Sequence, residues 1–260
     1  MNYLLENLKD NGIGLNKILS FFLIVFLVVG GGIYLFIANR PKGYLIVNEK
    51  LILTKRMNNW ETVKKFSNDI LDKKYHVVNY AGEFDDVTIS YRANSNSWYY
   101  MDKDYSDLNL KMVRAAYTDD FKGIKVANYS VSYYDESDDE ILKGILPNIV
   151  RKNGWSVIKS EFDLDGNGVK EIIYTVNNAT LADGNGKIKS YIFLVRNGSV
   201  VKMLDDDTSK PYLVRNIIDI DKDGKYEVIV SKGDIDVSTF DSCYQIYKIK
   251  GNNIKRILDC

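Results

Sequence analysis

The sequence predicts a mainly β chain with a few short helices, carried behind one N-terminal transmembrane helix. Three observations predict it. No charged residue occurs from Ile18 to Ala38. Downstream, short apolar and β-branched runs recur between polar turns, in a chain of 260 residues with 19 tyrosines and only 3 prolines. That balance suits strands rather than disorder. Finally, an acidic, glycine-containing segment occurs twice in the C-terminal half, 162–171 and 218–227, in register at an offset of 56 residues.

The N-terminal run Phe21–Val29 continues through Gly30, Gly31 and Gly32 into Ile33–Ile37. About 20 apolar residues, rising ~1.5 Å each, cross the ~30 Å hydrocarbon layer. A cleaved signal peptide competes, with Gly30 and Gly32 as small residues near a cleavage point. Its apolar region runs only about 7 to 15 residues, whereas this run resumes beyond the glycines. Orientation has two readings. Lys9 and Lys17 precede the helix, while Arg40, Lys42, Lys50, Lys55 and Arg56 follow it, and by the positive-inside rule that count places the large domain in the cytoplasm. Long domains translocate largely regardless of charge, and Lys17 adjoins the helix. The expectation is a cytoplasmic tail over 1–17, a single-pass span over 18–38 and an extracytoplasmic remainder. Lys+Arg and Asp+Glu are 35 each, so no electrostatic footprint for nucleic acid is present.

Residues 39–147 read as a β-rich domain of unknown type. Tyr44–Val47 and Lys50–Leu53 form two strands about Asn48-Glu49. Apolar residues at 60, 63, 66, 70 and 71 have helical spacing. Strand-like runs follow at Tyr75–Val78, Val87–Tyr91, Trp98–Met101, Met112–Tyr117 and Ile124–Tyr133. The acidic stretch Asp135–Glu140 interrupts them, and Ile141–Leu146 reads as a helical turn before Pro147. The expected boundary is there, with 148–260 as a second domain.

In that second domain the repeated segments both read D-x-D-x-[DN]-G-x-x-E: Asp163, Asp165, Asn167, Gly168 and Glu171, then Asp219, Asp221, Asp223, Gly224 and Glu227. Oxygen side chains at alternate positions, a glycine at the turn and a further carboxylate suit a hard cation with six to eight oxygen ligands, and calcium is the expected ion. An EF-hand needs a glutamate at loop position 12, where this chain has Tyr174 and Val230. Apolar runs follow instead, Ile172–Val176 and Val228–Val230, so the loops are strand-flanked. Phe162 and Leu164 alternate with Asp163 and Asp165, as Ile218 and Ile220 do with Asp219 and Asp221: one face anchors the loop and the other meets the ion. The competing reading is ordinary hairpin turns, which favour the same residues. Ala182–Gly186 has that turn composition without alternating carboxylates.

These loops resemble the calcium loops of the FG-GAP and VCBS-type repeats of integrin-like β-propellers, over about the last 110 residues. The resemblance implies β-hairpin repeats with propeller-blade-like calcium loops. It implies side-chain ligands at Asp163, Asp165, Asn167, Asp219, Asp221 and Asp223, main-chain carbonyls at Val169 and Lys225, and Glu171 and Glu227 completing or bracing each site. The second loop, with one more carboxylate, should bind calcium more tightly. Two repeats are too few for a propeller of four or more blades. Either degenerate blades precede them or the two stand as a small β domain, the reading adopted here.

The two cysteines are Cys243 and Cys260. If Gly251-Asn252 is a two-residue turn, Lys250 meets Asn253 and the cysteines fall opposite each other, within disulfide reach. A register shifted by one residue leaves two free thiols. Catalytic signatures are nearly absent. His76, the single histidine, sits within an apparent strand, and no nucleophile elbow, CxxC or Walker loop occurs. Two functional classes remain: a membrane-anchored extracytoplasmic binding or structural protein, its partner an envelope glycan or another surface protein, or a membrane-bound hydrolase using acidic residues. Trp98-Tyr99-Tyr100 and Tyr105 would suit sugar stacking, although core packing is the better reading of such a patch.

Overall fold

Short alternating runs build eighteen strands among the described residues, with one α-helix before them and two between them. The computed structural model describes residues 15–38, 43–47, 51–56, 59–63, 68–71, 73–79, 83–92, 97–101, 113–146, 149–150, 155–181, 188–208, 210–233 and 243–259. The chain divides into two compact units, Met1–Lys42 with Arg56–Asn58 and Gly43–Lys55 with Asn59–Cys260.

In the first unit, helix α1 (Leu15–Ala38) runs unbroken through Gly30–Gly32 for 24 residues, about 36 Å at ~1.5 Å per residue. Side chains are described over 19–35 of it; on the described residues, no helix is long and apolar enough to cross a membrane. The helical backbone is longer than that stretch at both ends. Every side chain from Phe21 to Val29 is exposed, Phe26 at 75%.

The second unit is a stack of three antiparallel sheets. The first comprises β1 (Leu45–Val47), β2 (Leu51–Arg56), β3 (Asn59–Thr62), β4 (Tyr75–Asn79), β5 (Glu83–Arg92), β6 (Ser97–Met101) and β7 (Val113–Tyr117), in the order β3-β2-β1-β7-β4-β5-β6. The helical spacing from Trp60 to Leu71 is only partly realised. Residues 59–62 are the edge strand β3, where Trp60 stacks on Phe121 with ring centroids 5.3 Å apart, and the helix there, α2, covers Asn68–Leu71. Tertiary packing of the indole overrides the local period.

The expected strand at 124–133 is two strands. β8 (Lys125–Val126) and β9 (Ser130–Tyr133) enter different sheets. After them come α3 (Asp139–Ile145), β10 (Ile149–Val150), then β11 (Ser156–Phe162), β12 (Glu171–Leu181), β13 (Ile188–Arg196) and β14 (Ser199–Thr208). These last four form a meander that β9 extends beside β11, while β10 pairs with β12. A second meander, β15 (Tyr212–Asp219), β16 (Glu227–Lys232), β17 (Cys243–Lys250) and β18 (Asn253–Leu258), is extended by β8 beside β15. Ser156 plus the repeat offset is Tyr212, so the strand that opens each meander starts at equivalent positions.

Alternation places the meander of β15–β18 in the middle of the stack. One face contributes Ile218, Ile220, Ile229 and Ile246 to a core shared with Leu45, Leu53, Ala115 and Tyr117 of the first sheet. Its other face contributes Ile217, Val228, Val230 and Ile249 to a core with Ile173, Ile192 and Leu194. Ile70 of α2 and Leu142 of α3 join the cores on the outer faces. A bulge between Val214 and Asn216 lets Val214 and Ile217, an odd number of residues apart, face the same core.

The chain turns at Gly251-Asn252 with Lys250 opposite Asn253, as expected. An irregularity between Ile246 and Tyr247 then shifts the ladder by one, to Ile246 opposite Leu258. Cys243 is nonetheless disulfide-bonded, and Cys260, the chain's other cysteine, lies outside the described residues.

Two buried asparagines stitch the layers. The Asn177 amide donates to the Tyr212 carbonyl at 2.9 Å and accepts its N–H at 2.8 Å, and Asn216 Nδ2 donates to the Arg114 carbonyl at 2.8 Å. Leucine at position 177 would keep the volume but leave two buried backbone groups unpaired. With each such group worth about 1–3 kcal/mol, Asn177→Leu should lower unfolding free energy by about 2–6 kcal/mol, measured by urea unfolding in detergent.

Candidate metal centre

Both acidic loops connect the first and second strands of a meander, and both are bound by their own carboxylates. Asp163 accepts the N–H groups of Gly166 at 2.9 Å, Asn167 at 3.1 Å and Gly168 at 2.8 Å. Asp219 accepts those of Asp223 at 3.1 Å and Gly224 at 3.0 Å. Asn167 Oδ1 takes the Val169 N–H and Asp223 Oδ1 takes the Lys225 N–H. Gly166, Gly168 and Gly224 all have positive φ, a conformation that glycine adopts readily and that lets the backbone curl around the aspartate.

Glu171 and Glu227 begin β12 and β16, and both are fully buried. Each reaches back across its loop: Glu171 Oε2 accepts the Leu164 N–H at 2.8 Å, and Glu227 Oε2 accepts the Ile220 N–H at 2.9 Å. Leu164 and Ile220 are themselves buried. The aspartates and glutamate of each loop converge: Asp163, Asp165 and Glu171 each offer an oxygen within 4.8 Å of the others, as do Asp219, Asp221 and Glu227.

The two loops lie side by side. Phe162 meets Tyr226 edge-on with centroids 4.8 Å apart, and the Tyr226 N–H donates to the Leu164 carbonyl at 2.9 Å. Burial, with Asp219 and Asp163 nearby, pushes the Tyr226 hydroxyl pKa up. Seven carboxylates therefore gather at one end of the stack.

Basic residues that the motif does not contain answer part of this charge. Arg196 lies directly across the ladder from Glu171 and Lys248 directly across from Glu227. Arg196 donates through Nε to Glu171 Oε1 at 2.7 Å and through a terminal nitrogen to Asp165 Oδ2 at 2.9 Å. Lys248 Nζ donates to Asp221 and, at 2.8 Å, to Asp223, and lies 3.4 Å from Glu227 Oε1. Burial alone would lower the Lys248 pKa, but Asp221 and Asp223 hold it well above its ordinary value. Burial pushes the Glu227 carboxyl up to about 7, against the Ile220 N–H that favours its charged form. Within the two loops, two buried oxygens have no hydrogen-bond donor: Asp165 Oδ1 and Glu227 Oε1. For Glu227, Lys248 at 3.4 Å is an ion-pair partner rather than a donor.

The repeat offset hides these partners. Twenty-five residues separate Glu171 from Arg196, but twenty-one separate Glu227 from Lys248. Position 196 plus 56 is Asn252, in a turn, so only the strand register reveals the equivalence.

Other sites resolve differently. His76 lies 2.8 Å from Asp119 and stacks on Tyr117, a strand histidine with a polar neighbour. Side chains of Trp98, Tyr99 and Tyr100 and all of Tyr105 lie outside the described residues. Asp138 is the buried carboxylate outside the loops among the described residues; it accepts the Tyr174 hydroxyl at 2.7 Å and the Asp135 N–H at 2.9 Å, with Lys159 Nζ at 3.0 Å.

Removing one partner of a buried ion pair strands the other, at about 3–5 kcal/mol. Glu171→Ala should destabilise the protein by about that amount, since it frees the Leu164 N–H and half of the Arg196 fork, as chemical denaturation would measure. In the Asp138 network, the Lys159 ammonium and Ser137 hold the Asp135 carboxyl down to about 2. A depressed folded pKa contributes stability that is present above the ordinary value near 4 and lost as pH falls towards 2. Acid titration of the melting midpoint should show a fall across that window that Lys159→Met makes shallower. No family model, curated protein or solved structure matches the chain.

Proposed function

We propose that this chain is a single-pass membrane protein whose extracytoplasmic β domain is stabilised by calcium and serves as a binding or structural module for an envelope glycan or another surface protein. The observation that carries this reading is the pair of adjacent acidic loops. Each converges at least three carboxylates and leaves one buried oxygen without a donor. A divalent ion with six to eight oxygen ligands would use those oxygens and relieve the mutual repulsion of the carboxylates.

Two further features support the location. A 24-residue helix exposing consecutive apolar side chains on every side calls for an apolar solvent, since an all-round hydrophobic helix is stable only when buried. A bonded Cys243 suits an oxidising compartment. A hydrolase has no comparable observation in its favour: Asp138 is held by a tyrosine, a lysine and a helix start.

Calcium that binds only the folded state raises stability by roughly 2.7 kcal/mol at a hundredfold excess over Kd. Melting the full chain in detergent should therefore give a higher midpoint in millimolar calcium than in excess EDTA. Equal midpoints with no calorimetric calcium signal would reject the reading. Protease shaving of intact cells should remove residues beyond about 43; protection until lysis would reverse the orientation.

A further inference from the structure

The basic residue opposite each loop glutamate is the feature that the calcium reading does not absorb. It recurs in both repeats at the same ladder position, although one is arginine and the other lysine and the repeat offset does not align them. Both side chains point into the loop carboxylates rather than out to solvent, with 17% and 24% of their surface exposed.

We propose that Arg196 and Lys248 are built-in counter-cations that let both loops fold without metal, and that calcium enters the second loop by displacing the Lys248 ammonium while Arg196 keeps the first loop closed. The second half of this proposal rests on the calcium reading, whereas the first half does not.

The geometry separates the two loops. In the first, one planar guanidinium engages Glu171 Oε1 and Asp165 Oδ2 together, and the Leu164 N–H holds Glu171 Oε2. That leaves Asp165 Oδ1 as the oxygen without a donor, and the fifth loop position is the neutral Asn167. A guanidinium fork held at two carboxylates is geometrically specific and always charged. In the second loop a single ammonium on a flexible stem is asked to serve Asp221, Asp223 and Glu227. It leaves Glu227 Oε1, fully buried, without a hydrogen bond. A calcium ion at ~2.3–2.6 Å from its ligands would need the same oxygens, so ammonium and ion exclude each other. Four carboxylates against one ammonium favour the divalent ion, and the lysine stem, part-exposed already, returns its head to water.

The test uses the full chain in detergent micelles, with melting midpoints in EDTA and calorimetric titration with calcium chloride. Lys248→Met should lower the EDTA midpoint by about 5 °C or more and tighten calcium binding about tenfold or more, since a positive charge has left the site. Lys248→Arg should restore the EDTA midpoint and weaken calcium binding below wild type. Arg196→Met should add a second calcium equivalent where wild type takes one. An unchanged EDTA midpoint in Lys248→Met overturns the counter-cation role. Wild-type affinity in Lys248→Met overturns displacement. If neither wild type nor Lys248→Met takes up calcium while the EDTA midpoint falls, the calcium reading and the displacement step fail and the counter-cation role stands. Should Lys248→Met not fold, the paired change Asp221→Asn with Lys248→Gln removes one charge of each sign. Near-wild-type melting of that variant in EDTA supports charge balance, and its failure to fold overturns the proposal in favour of packing.

Discussion

Two glutamates with no solvent exposure, Glu171 and Glu227, are the constraint on which the C-terminal half depends. A carboxylate placed in a low-dielectric interior is costly unless it is paired and hydrogen-bonded. Here one oxygen is tied to the backbone of the loop it closes, and the other faces a cation on the next strand. Three pieces of chain are thereby held together: the loop, the strand that follows it, and the strand after that. The loop aspartates do the complementary task, accepting consecutive N–H groups that would otherwise lack partners in a tight turn. The loops are consequently shaped before any ion arrives.

The stacking of three sheets follows from the same strands. β15 and β16 are buried on both faces, with consecutive buried residues from Ile217 to Ile220 and from Glu227 to Ser231, so they must be covered on both sides. The first sheet covers one side and the first meander the other. Asn177 and Asn216 supply the polar joins between layers. Strands β8 and β9, only four residues apart, extend the two meanders and commit residues on either side of position 147 to one compact unit.

Compartment and chemistry support one another in the proposed reading. Weak to moderate calcium sites work where the free ion is abundant, outside the cytoplasm, and the bonded Cys243 is at home in the same oxidising space.

Much of this was legible in residue order. Strand positions showed through the two-residue alternation, and α3 through Ile141–Leu146. The loops declared themselves through paired D-x-D-x-[DN]-G-x-x-E segments, because their conformation is dictated locally by short-range side-chain to backbone bonds. The misreadings share a cause. Trp60 fits a helical period, but its ring is worth more against Phe121 in an edge strand; Ile124–Tyr133 looks like one strand, but its halves serve different sheets. Arg196 and Lys248 were invisible because their pairing with Glu171 and Glu227 is set by strand register across hairpins of different length, which no sequence spacing encodes. Sequence by itself determined the β class, the apolar helix and the acidic loops, each a matter of period or local bonding. Tertiary structure alone decided which charges meet, because ion pairing across a sheet depends on distance in space and not along the chain.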